Sequence, residues 1–157
     1  MKEEWMKKMR AFSGKELDLS KDEDLSIALM NLISLEEHLA FSAAKSGGEK
    51  FLQMLSEIRP LRKQLLQHFV QESEAEEWCI SKHLLAGSMR LFEAGTKELD
   101  AGRKEEAQSF FDSAFQLYSL FFALHLKLVP PNEVVAKPVS SGRWAEMVKK
   151  LVDCCKE

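Results

Sequence analysis

Apolar residues recur along this chain at intervals of three and four, in four long runs separated by turn signals, which is the spacing of amphipathic helices rather than strands. The first run opens where Ser20 and Glu23 have the spacing of a capping box, and it continues to Ser46, where Gly47 and Gly48 stop it. The second runs from about Glu49 to Gln71, with Pro60 inside it predicting a kink or a restart. A third extends from about Glu74 to Asp100. The fourth, from about Lys104 to Leu128, follows a short turn at Ala101 and Gly102 and ends before Pro130 and Pro131.

Short connections between long helices favour antiparallel neighbours. The pattern therefore predicts an all-α protein, an antiparallel up-down-up-down four-helix bundle with short extra helices at the N- and C-termini. The expected layout is an N-terminal amphipathic helix and linker over 1–19, the bundle over 20–129, and a loop with a C-terminal amphipathic helix over 130–157, all within one domain. The segment Ala94 to Tyr118 also has the helix, turn, helix texture of a tetratricopeptide repeat; a single unit without repetition reads as an ordinary hairpin.

Helical phase separates the expected core from the surface. In the first run Leu25, Ala28, Leu29, Leu32, Leu35, Leu39 and Ala43 form the apolar stripe, and Glu36 falls in its middle. In the second, Arg62 is central among Phe51, Leu55, Ile58, Leu65, Leu66 and Phe69. An unpaired buried charge costs several kcal/mol, so the two charges are expected to pair across neighbouring helices. Glu36 lies 12 residues before Gly48 and Arg62 lies 14 after it, a near match in height for a hairpin. The pair is either a buried ion pair fixing register or a ligand centre, because an arginine fork also binds phosphate or carboxylate.

The third run has an apolar side of Leu84, Leu85, Leu91, Phe92 and Leu99 around the small residues Ser81, Ser88 and Gly95, which would let a neighbour approach closely. Its reverse side gathers Cys79, His83, Arg90 and Lys97. Arg90 and Lys97, with the tryptophans Trp5 and Trp144 of the terminal segments, make a candidate interaction face. In the bundle topology His68, Cys79, His83 and His125 collect at one end. Cys79 and His83 stand at i and i+4, a spacing that could share a metal ion, although the chain has no Glu-x-x-His pair of the di-iron bundle type.

Composition narrows the class. With 7 glycines and 4 prolines in 157 residues, the chain favours helices over turn-rich sheets. A net charge of −3 offers no global attraction for nucleic acid. Three cysteines, Cys79, Cys154 and Cys155, make no disulfide framework and point to reduced thiols and a cytoplasmic setting. The longest uncharged stretch, Ala114 to Leu126, is too short to span a bilayer, and Met1 to Phe12 lacks the unbroken apolar run of a secretory signal.

Arg62 and His68 have the R-x5-H spacing that resembles the catalytic motif of HEPN-type helical ribonucleases, and the third and fourth runs form a hairpin of similar texture. That resemblance implies RNA cleavage by the arginine and histidine at a dimer interface. Phosphate-binding glycine loops, the G-x-S-x-G elbow and the H-E-x-x-H zinc motif are absent from the sequence. The leading expectation is a small cytoplasmic protein-protein interaction or adaptor module that meets a protein partner or forms a homodimer, with no required cofactor. The alternatives are a ligand- or metal-binding bundle at Glu36 and Arg62 or at the histidine end, and the HEPN-like enzyme.

Overall fold

The computed structural model describes residues 18–71 and 75–129, which form four helices and no strand: α1 (Ser20–Ser46), α2 (Glu49–Gln67), α3 (Ala75–Asp100) and α4 (Lys104–His125). The proposed short terminal helices, with Trp5 and Trp144, lie outside the described residues. Within the described residues no helix is long and apolar enough to cross a membrane.

Helix α1 does not begin with the expected capping box. Leu19 is its N-cap and supplies no side-chain hydrogen bond; Ser20 turns to Asp18 instead, its backbone N–H and its hydroxyl donating to Oδ1 at 3.0 and 2.6 Å. Glu23, the other half of the expected box, is buried. Asp22 and Glu23 still complement the positive end of the helix dipole. At the other end Gly47 takes the left-handed conformation (φ 63°) and donates to the Ala43 carbonyl at 2.8 Å, the ordinary way a glycine closes a helix.

Helix α2 runs unbroken through Pro60, with no restart, and ends at Gln67, earlier than Gln71. Helix α4 ends at His125, before Leu128, because the chain there folds back: Lys127 adopts φ 53° and Leu128 donates to the Ala123 carbonyl at 2.8 Å. A lysine thus fills the left-handed closing position that glycine usually takes.

The most extensive helix contact joins α3 to α4, the next joins α1 to α2, and α1 also packs on α3. The row of small residues on α3 makes the first of these close. Ser81, Ser88 and Gly95 are all buried, Ser88 donates to the Ala114 carbonyl at 2.9 Å, and a Cβ placed on Gly95 would lie 2.6 Å from the Phe111 ring.

The core is concentrated where α1 and α3 begin and α2 and α4 end. Leu29, Leu66, Leu85, Phe121, Phe122 and Leu124 are fully buried there. Phe69, Phe121 and Phe122 meet edge to face at centroid distances of 5.0 and 5.3 Å, a geometry that adds to simple burial. Six consecutive residues, Ser119 to Leu124, are buried, so this part of α4 is covered all round. Toward the α1–α2 and α3–α4 turns the cover thins: Phe41, Leu52, Phe92 and Leu99 are each about half exposed.

The stripe expected on α1 is rotated. Leu29 and Leu39 are buried, whereas Ala28 and Leu35 are exposed, and Ser26, Met30 and Glu23 are buried instead. The cause is that α1 serves more than one neighbour: besides α2 it packs on α3, and Ser26 meets Tyr118 of α4.

Candidate functional site

Two polar clusters stand inside the helical framework. In the first, Arg62 projects from the buried side of α2 and meets Glu36 of α1 in a fork: Nε donates to Oε1 at 3.0 Å and Nη2 to Oε2 at 3.1 Å. Only 4% of the arginine side chain and 16% of the glutamate side chain is exposed. Two parallel charge-assisted bonds constrain orientation as well as distance, so this pair sets how α1 and α2 lie against each other.

The second cluster joins three helices around Asp22 in the first turn of α1. His68, at the end of α2, donates from Nε2 to Asp22 Oδ1 at 2.8 Å. His125, the last residue of α4, places Nε2 at 3.3 Å from Oδ2 and Nδ1 at 3.4 Å from the Phe69 carbonyl. The His125 ring also packs edge to face on Phe69 at 5.0 Å. Burial pushes the Asp22 carboxyl up, but the hydrogen bonds and positive charge of the two histidines together outweigh it and hold the group below its ordinary value.

The set His68, Cys79, His83 and His125 is therefore only half assembled. His68 and His125 converge, but on a carboxylate rather than on the thiol. Cys79 and His83 are exposed on the opposite side of α3 from the buried Ser81, Leu84 and Leu85. Among the described residues no group of three histidine, cysteine, aspartate or glutamate side chains is arranged to hold a metal ion. The reason is helical phase: positions 79 and 83 lie about 100° or more from the stripe that faces α4.

Arg90 and Lys97 are exposed on α3, and Arg90 Nη2 donates to Ser34 Oγ of α1 at 2.9 Å, bridging the two helices. Arg62 and His68, the pair behind the ribonuclease resemblance, are tied to different acids, Glu36 and Asp22.

Three polar contacts escaped the reading of the sequence. Asp22 was not singled out by any spacing, and its place between His68 and His125 emerges only from the packing of α1 against the ends of α2 and α4. Ser26 and Tyr118 share a 2.7 Å hydrogen bond between α1 and α4, with no signal in spacing. Lys127 Nζ donates to the buried Glu77 at 2.9 Å, tying the turn after α4 to the start of α3. Comparison with known proteins finds no family model, no curated protein and no solved structure that matches this chain.

Proposed function

We propose that this protein is a small cytoplasmic interaction or adaptor module, built as an up-down-up-down bundle whose role is to present helix faces to another protein. The antiparallel arrangement is supported by the order of contacts: Asp22 meets His68 and Glu36 meets Arg62, so advancing along α1 means receding along α2. The observation that carries the functional reading is the distribution of apolar surface. Among the described residues eight large apolar side chains, including Phe41, Leu61 and Phe92, stay between 37% and 58% exposed around a well-filled core, surface that another protein could cover.

A ligand-centred role for Glu36 and Arg62 has less support, because the arginine spends Nε and Nη2 on the glutamate and is nearly inaccessible. The same burial weighs against Arg62 as a ribonuclease residue. The test is affinity capture by the immobilised full chain, compared with variants that place a charge at Leu61 or Phe92. A reproducible partner lost in one of those variants is expected; captured material that is identical for all three proteins would remove the module reading.

A further inference from the structure

Near the α3–α4 turn, the close approach that seats Phe111 on α3 also assembles an exposed apolar face. The Phe111 ring lies against Gly95, 2.6 Å from a Cβ placed there, and stands 5.9 Å from the ring of Phe92, which precedes Gly95 by three residues. Leu99 follows Gly95 by four. Three and four residues are each about one turn, so Phe92, Gly95 and Leu99 share one side of α3, and Phe111 sits over the glycine between the other two. Phe92 is 49% and Leu99 47% exposed, and Phe111 is half buried. The face is contiguous, largely aromatic and confined to one hairpin.

The chain itself carries a segment that fits this face in length, spacing and charge. Val129 donates to the Ala123 carbonyl at 3.3 Å, so the described chain ends beside the last turn of α4, about 18 Å along that helix from Phe111. The 13 residues 130–142 that follow reach about 43 Å when extended, more than enough to bring Arg143 alongside Phe111. Beyond them Trp144, Val148 and Leu151 recur at helical spacing, and Trp144 and Leu151 are seven residues apart, as Phe92 and Leu99 are. From Glu93 to Asp112 the hairpin carries six carboxylates and three cations, whereas residues 143–152 carry three cations, Arg143, Lys149 and Lys150, and one carboxylate. Opposite net charges favour their encounter. The other terminal segment, Met1 to Phe12, is tied by only five residues to Asp18, at the far end of the molecule from this face.

We infer that residues 143–155 of this chain dock on the Phe92–Phe111–Leu99 face, with Trp144 and Leu151 against its aromatic centre. Resting on the interaction-module reading, this contact withholds the face from other proteins until the segment leaves it, so the chain regulates its own binding surface.

The test places the photoreactive residue benzoylphenylalanine at position 144 of the full chain, irradiates it at low concentration in reducing buffer and maps the adducts by mass spectrometry. The expected result is an adduct within one chain, in the stretch from Phe92 to Phe111, whose yield falls at least fivefold in Phe92→Glu and in Leu99→Glu and is unchanged in Leu61→Glu. Helical circular dichroism of each variant identifies any loss of fold, and the second substitution on the face serves if one of them unfolds. Adducts on α1 or α2, adducts between two chains, or no adduct at all overturn the inference. Affinity capture with full-chain Trp144→Glu then reads the regulation: at least twofold more partner than the parent captures is expected, and an unchanged amount overturns it. The two readings fail separately, since a captured partner without the adduct keeps the module and removes the docked segment, and the adduct without any partner does the reverse.

Discussion

At the scale of single residues, the interior charges divide into groups that fix geometry and groups that report on pH. The Glu36–Arg62 fork belongs to the first. Because both partners are largely removed from water, deleting one leaves the other's desolvation uncompensated, at a cost of about 3–5 kcal/mol, whereas replacing both by apolar residues of similar volume is close to neutral. Urea unfolding of Arg62→Met, Glu36→Leu and the double variant is expected to show two large losses and a double variant more stable than either single one. Additive losses would mean that the two side chains act separately.

Asp22 belongs to the second group. Its pKa in the folded protein lies below the ordinary 3.8, so the stability it contributes is present above the ordinary carboxylate range and is lost as pH falls through that range toward the folded value. Asp22→Asn is expected to flatten the acid side of the stability-pH curve; an acid limb as steep as that of the parent would show that other carboxylates set it. Lys127 illustrates a different trade. Its left-handed backbone is unfavourable for a side-chain-bearing residue, yet its ammonium neutralises buried Glu77, so a glycine there relieves one cost and creates another.

Among elements, α3 and α4 are matched by size and α1 and α2 by charge. Gly95 lets Phe111 lie against the α3 backbone, and any larger side chain at that position must displace the ring. Gly95→Leu is expected to destabilise by about 1–3 kcal/mol despite leucine's higher helix propensity, with recovery when Phe111→Ala is added; a stabilised Gly95→Leu would mean that the ring moves freely. Pro60 is the reverse case, an exposed residue that forfeits one hydrogen bond in a helix that continues regardless. Pro60→Ala is therefore expected to raise stability, by up to about 3 kcal/mol, measured as a higher urea midpoint.

The four helical runs, their turns and the small-residue contact on α3 were legible in the sequence because periodicity and glycine placement act locally. The start of α1 was not, since Asp18, two residues upstream, captured Ser20. The phase of α1 was misjudged for a non-local reason: a stripe of leucines identifies the side facing one neighbour, but Ser26, bonded to Tyr118 of α4, and Met30 are buried outside that stripe. Spacing likewise placed His68 and His125 at one end of the molecule, whereas the carboxylate that joins them is visible only once α1 is brought alongside.

Over the whole molecule the packing is uneven. The fully buried aromatics, the Asp22 cluster and the Glu77–Lys127 bridge all gather where α1 and α3 begin, and the opposite end holds Phe41, Leu52, Phe92 and Leu99 in contact with solvent. A protein made this way is anchored by one end and free to offer apolar side chains elsewhere, which links the fold to the proposed role in interaction. Local opening should follow the same gradient, because exchange protection tracks buried contact. Amide hydrogen exchange read residue by residue tests this most directly. The slowest amides are expected in Ser119–Leu124 of α4 and Ser81–Leu85 of α3, and faster exchange is expected from Phe41 through Met54; equal protection along all four helices, or slower exchange at the Phe41–Met54 end, would contradict the account.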